Sequence, residues 1–144
     1  MKVNEIFGPT IQGEGKTAGM PCLFLRLATC NLHCVWCDTP YTWNWTGTPF
    51  AHPDKFDPAK EIHEMTPEQI LVKLEELSAG SVWSLIISGG EPMLQWKQLT
   101  PLLQRLKMRG WWVEIETNGT VAPTSEFSEL VDQFNCSPKL SNSG

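Results

Sequence analysis

Apolar positions along this chain fall into short dense runs separated by stretches with helical spacing. Residues 2–7 (KVNEIF) read as a short opening strand. A Gly-rich stretch, residues 8–19, reads as a loop. Residues 21–28 (PCLFLRLA) form a second strand, apolar on both faces except at Arg26. From residue 66 the period changes. Thr66-Pro67-Glu68-Gln69 carries an N-cap residue, Pro in the first helical position and Gln three after the cap. Ile70, Leu74 and Leu77 follow at helical spacing, and Gly80 closes the element. Residues 82–87 (VWSLII) read as a buried strand. Residues 95–109 read as a helix with Leu99, Leu102, Leu103 and Leu106 on one face; Pro101 marks either its true start or a kink. Residues 111–116 form a further strand, 124–134 a short helix, and 135–137 begin a closing strand.

Strands alternating with helices imply parallel βαβ units. Three strand–helix pairs plus an opening and a closing strand fall short of the eight pairs of a closed barrel. The expected class is α/β, a partial barrel or open sheet, in one domain spanning residues 1–144. Ligands in such sheets sit at the carboxyl ends of the strands. Ala28, Ile87, Glu116 and Ser137 end predicted strands, and each adjoins an unusual loop. Residues 41–63 form an irregular excursion, and long loops of this kind in a compact domain are often functional.

Composition narrows the classes. Of 144 residues, 41% are hydrophobic and 19% charged, the balance of a globular chain. A net charge of -5, with scattered Lys and Arg, argues against a nucleic-acid surface. No apolar run approaches the roughly 18 residues of a membrane span, and the N-terminus lacks the apolar core of a signal peptide. A soluble, cytoplasmic protein with no membrane partner is expected. Five Cys, an odd number, make a poor disulfide framework.

Three of those Cys define the candidate chemistry. Cys30-Asn31-Leu32-His33-Cys34-Val35-Trp36-Cys37 has the spacing C-x3-C-x2-C. Three thiolates on one short loop can wrap an inorganic cluster. A structural zinc wants four ligands, and no second CxxC or His pair stands at zinc-finger spacing; His33 is a fourth donor only in principle. A 4Fe–4S cluster held by three Cys leaves one iron open. Here the chain resembles the radical S-adenosylmethionine (radical SAM) superfamily, whose signature this spacing is, with Trp36 as the aromatic residue before the last Cys. The resemblance implies that the open iron chelates the methionine moiety of S-adenosylmethionine (SAM). One-electron cleavage then yields a 5′-deoxyadenosyl radical. Ser88-Gly89-Gly90-Glu91-Pro92 resembles the superfamily's GGEP motif, Glu91 offering an acceptor to the amino group of SAM; alone it would be a tight turn before a helix. Glu116-Thr117-Asn118-Gly119 offers polar groups to the same cofactor or forms a plain Asn-Gly turn.

Further motifs narrow the resemblance. Gln12-Gly13-Glu14-Gly15, Arg26, Asp38-Thr39 and Ser137-Pro138-Lys139, in this order, are similar to the 7-carboxy-7-deazaguanine synthase family of queuosine biosynthesis. That family implies a carbon–nitrogen lyase using SAM and magnesium to convert 6-carboxy-5,6,7,8-tetrahydropterin to 7-carboxy-7-deazaguanine with loss of ammonia. By this resemblance Cys30, Cys34 and Cys37 hold the 4Fe–4S cluster, and Thr39 offers oxygen to Mg2+. Trp36, Asp38, Gly90, Glu91, Asn118, Ser137, Pro138 and Lys139 contact SAM. Ile11, Gln12, Gly13, Glu14, Arg26 and Ser88 contact the pterin, with Arg26 as the cation for its carboxylate. A flavodoxin or ferredoxin is the implied electron donor, and two protomers could share a sheet edge as a homodimer. The family's barrel continues past the point matched by residue 144, so the expected barrel is C-terminally shortened, whether as a fragment, a reduced native form or one whose site a partner closes. Trp43 and Trp45 shield the cluster or, as the plainer reading, simply pack. The alternatives are an activase-like radical SAM enzyme and a non-catalytic metal-binding interaction module.

Overall fold

The opening strand, β1 (Lys2–Ile11), runs four residues beyond its apolar pattern and pairs antiparallel with β2 (Pro21–Leu27). The structure, a computed structural model, describes residues 1–144. The antiparallel β1–β2 pair thus precedes the parallel units expected where strands alternate with helices. The connection between the two strands is closed at its neck by Gln12 N–H to Met20 O at 2.9 Å and Gly19 N–H to Gln12 O at 2.8 Å. It is too short for a parallel crossover, which usually needs a dozen or more residues and a helix. Gly8 stays within β1 at an irregularity between Phe7 and Thr10, so the first third of the Gly-rich stretch, residues 8–11, is strand.

A two-residue strand, β3 (His63–Glu64), pairs with the outer side of β1. Three more strands, β4 (Ser84–Gly89), β5 (Trp112–Thr117) and β6 (Gln133–Cys136), add in parallel beyond β2. The six-stranded order is β3-β1-β2-β4-β5-β6, an open α/β sheet of partial-barrel type.

Helices cover one face. The first, α1 (Pro58–Glu61), is a single turn capped by Asp57. The second, α2 (Pro67–Ser78), begins with the capping box expected from sequence: Thr66 accepts from Gln69 N–H at 3.2 Å, and Gln69 accepts from Thr66 N–H at 2.8 Å. The third, α3 (Trp96–Met108), follows a 3₁₀ turn over Pro92–Gln95 and keeps Pro101 inside it. Its buried residues are the Leu99, Leu102, Leu103 and Leu106 stripe, packed with Ile70, Leu74, Leu85, Ile87, Val113 and Ile115 in the core. The last helix, α4 (Ser125–Ser128), is much shorter than its pattern suggests. The chain leaves it to begin β6 at Gln133, where Asp132 bonds to Val113 through both backbone and side chain.

The alternation of each strand sends its other residues to the opposite face. Cys22, Phe24 and Arg26 of β2, Ile86 and Ser88 of β4, Glu114 and Glu116 of β5 and Asn135 of β6 stand there. That face turns polar toward the strands' carboxyl ends. No helix is long and apolar enough to cross a membrane.

Candidate functional site

A cavity of about 600 Å³ opens where the parallel strands end. The loop after β2 brings Cys30, Leu32, Cys34, Trp36, Cys37, Asp38 and Thr39 to one wall. The end of β4 brings Ser88, Gly89 and Gly90; the end of β5 brings Glu116, Thr117 and Asn118; β6 and its continuation bring Asn135, Ser137 and Lys139. The 12–14 segment, Phe24 and Arg26 complete it.

The two glycines are required by the chain itself. A Cβ on Gly89 would lie 2.1 Å from Leu27 O, and one on Gly90 2.1 Å from Thr29 O. Gly89 also takes φ 130. Their absent side chains let β4 lie against the root of the Cys loop, where Gly90 N–H reaches Leu27 O at 3.1 Å and Glu91 N–H reaches Thr29 O at 2.9 Å.

Glu91 does not line the cavity. It is fully buried behind the wall, and its carboxylate accepts Met93 N–H at 2.9 Å, Thr117 Oγ1–H at 2.8 Å and Asn118 N–H at 2.7 Å. The anticipated contact to an amino group is therefore corrected to a tie between the β4 and β5 loops. Asn118 is engaged too: its Nδ2 donates to Asn31 Oδ1 at 3.0 Å, joining the β5 loop to the Cys loop. Ile11, 58% exposed, and Pro138 stand outside the cavity.

Gln12 lines the cavity but turns its amide downward. Its Nε2 donates to Glu114 Oε2 at 3.3 Å and Glu116 Oε1 at 3.2 Å, and its Oε1 accepts Glu14 N–H at 3.3 Å. Its side chain therefore braces the loop rather than reading a ligand edge, which leaves Gly13 and Glu14 as the exposed part of this wall. Glu114, not anticipated from sequence, is the hub beneath. It is fully buried and also accepts from Thr17 Oγ1, Trp112 Nε1 at 2.8 Å and Asn135 Nδ2 at 3.0 Å. Two carboxylates two residues apart in a buried strand were the available signal. Burial, and then the Glu114 and Glu116 charges, push the nearby Cys22 thiol up to about 11.

Arg26 spends one nitrogen on the protein: Nε donates to Glu5 Oε1 at 2.7 Å. Its guanidinium stands 5.6 Å from the Phe7 ring centre and 5.9 Å from that of Tyr41. The rest of its donor fork has no partner in the chain. Burial raises the Tyr41 pKa, an effect that Arg26 opposes.

The three thiols are not gathered around one ion's position; they edge a shared cavity, as the corners of a larger group would. Burial raises the Cys30 pKa, Leu32 N–H at 3.4 Å opposes this, and Glu91, Cys37 and Cys34 add repulsion. Cationic iron offsets that repulsion, so the donor set fits an iron–sulfur cluster. His33 is not part of it. Its ring stacks on Phe50 at 3.5 Å between centroids, and burial lowers its pKa.

Residues 26–138 match the Radical SAM superfamily. The chain belongs to the radical SAM superfamily. The cofactors that go with this membership are a 4Fe–4S cluster and SAM. Among relatives of this radical SAM chain, the 7-carboxy-7-deazaguanine synthase of Bacillus subtilis is 37% identical over 137 residues, covering 95% of this chain and 51% of the relative. That of Pyrobaculum aerophilum is 38% identical over 145 residues, covering 100% and 57%. The crystal structure of QueE from Escherichia coli superposes with a TM-score of 0.72 at 30% identity, over 97% of this chain and 60% of that one. The chain thus spans about half the length of the curated relatives it matches.

Proposed function

We propose that this chain, one radical SAM unit over residues 1–144, is a carbon–nitrogen lyase acting on 6-carboxy-5,6,7,8-tetrahydropterin to give 7-carboxy-7-deazaguanine and ammonia, in 7-deazapurine and queuosine biosynthesis. The observation that carries it is a single cavity edged by three thiols on one wall and by the unpaired fork of Arg26 on another. Cys30, Cys34 and Cys37 hold the cluster. When bound, cluster and SAM supply hydrogen-atom abstraction.

The chain's own residues bind and orient. Arg26 takes the pterin carboxylate with the nitrogens that Glu5 leaves free, while Glu5 fixes the plane of the guanidinium. Gly13, Glu14 and the Ser88 hydroxyl meet the pterin's polar edge, and Gln12 holds that loop down. Trp36, Asp38, Gly90, Asn118, Ser137 and Lys139 surround SAM. Lys139 Nζ is oriented by Ser137 Oγ at 2.8 Å. Thr39 offers a hard oxygen to Mg2+. The working setting is cytoplasmic, with a flavodoxin or ferredoxin as donor and a second copy of the chain as partner.

Anaerobic reconstitution should give a brown protein with about four iron per chain and an electron paramagnetic spectrum that changes on adding SAM. Zinc without iron would overturn the reading. Cys34→Ala should abolish both cluster and 5′-deoxyadenosine formation. Arg26→Ala should weaken binding of the carboxypterin while leaving uncoupled SAM cleavage in place, and equal affinity would remove Arg26 from the substrate wall.

A further inference from the structure

The excursion after the Cys loop is more than packing. Its centre is Asn44, fully buried, which donates to His52 O at 3.1 Å and Asp54 O at 2.6 Å and accepts from Thr48 Oγ1 and Lys55 Nζ, each at 2.9 Å. These bonds set two side chains against one residue, Cys37. His52 Nδ1 accepts Asp54 N–H at 3.2 Å, so its proton is on Nε2 and is donated to Cys37 O at 3.1 Å. Trp43, only 4% exposed, directs its indole Nε1–H to Cys37 Sγ at 3.2 Å. The Trp43 ring is held edge-on by His33, Phe50 and His52, with centroids 5.3, 5.8 and 6.2 Å away. The Thr39 hydroxyl is 3.5 Å from the same sulfur.

We propose that Trp43 is a tuning residue for the cluster, its indole N–H bonding to the Cys37 thiolate and raising the cluster's reduction potential. The inference rests on Cys37 being a cluster ligand, as in the function proposed above. The couple concerned is the 2+/1+ couple. The oxidised cluster takes one electron from a low-potential one-electron reductant, with no bond broken and no proton transferred. Reduction adds negative charge that is shared by the ligand sulfurs. A donor aimed at one of them stabilises the reduced form more than the oxidised form. The donor has no other partner, and the indole is buried, so water does not substitute for it without a rearrangement of the ring box.

The test is a redox titration with dithionite, monitored by electron paramagnetic resonance, on the reconstituted full chain. Replacing Trp43 site-specifically with 3-benzothienylalanine keeps the ring's shape and exchanges N–H for sulfur. With about four iron per chain retained, the midpoint potential should fall. Trp43→Phe should shift it the same way. Phe50→Leu loosens the same aromatic box but leaves the indole donor, and should keep the native potential. An unchanged or higher potential in the benzothienylalanine protein would overturn the proposal, as would an equal fall in Phe50→Leu. A native protein that takes up no iron would instead overturn the ligand assignment beneath it, so the two failures read differently.

Discussion

Glu91 accepts three hydrogen bonds while fully shielded from solvent, so both its oxygens matter. Glu91→Gln puts an amide N–H2 against either the Asn118 N–H or the Met93 and Thr117 donors. The expected loss is about 2 kcal/mol in urea unfolding, because hydrogen bonds to a charged group are lost and a buried donor is left unpaired. Cys22 gives a pH signature. Its folded pKa, about 11, lies above the ordinary thiol value of 9.0. The thiol is thus favoured in the folded state, and its contribution is fully present below pH 9. It is lost as pH rises from 9 to 11, where the unfolded chain ionises and the folded one does not. Cys22→Ala should flatten that part of the stability profile. In the native protein at pH 8, iodoacetamide should label exposed Cys136 and spare Cys22, as read by mass spectrometry of the peptides.

Among the elements, the junction of β4 with the Cys loop is the least forgiving. Gly90→Ala drives a methyl into the Thr29 carbonyl, a backbone atom with nowhere to go. A loss of about 3 kcal/mol is expected, with reduced iron uptake on reconstitution. Gly13→Ala meets nothing within 4 Å and should change stability by less than about 0.5 kcal/mol. Sequence reasoning served well where the signal is local. The Thr66 capping box, the α3 leucine stripe and the C-x3-C-x2-C loop all depend on residues a few positions apart. It served poorly where the partner is remote. Gln12 reads as a ligand contact until Glu114 and Glu116, about a hundred residues along, take its amide. Glu91 reads as an open acceptor until the β5 loop closes over it. The pairing direction of β1 is set by the closed neck of its connection, not by any apolar period.

At the scale of the whole molecule, the sheet separates two jobs. Its helix-covered face supplies cohesion, and Leu103→Ala in that layer should cost about 3 kcal/mol of unfolding free energy with little effect on the geometry of the cavity. Its other face supplies chemistry, and there Glu114 gathers Thr17, Gln12, Trp112 and Asn135 onto one carboxylate. One carboxylate thereby ties together segments widely separated along the chain. The amides that close the 12–20 turn and those that pair β5 with β6 should exchange with deuterium as a single cooperative unit, slowing and quickening in step as denaturant is varied. Whatever seats itself in the cavity against Gln12 and Asn135 then steadies, through that buried acid, Thr17 and Trp112, which it does not touch.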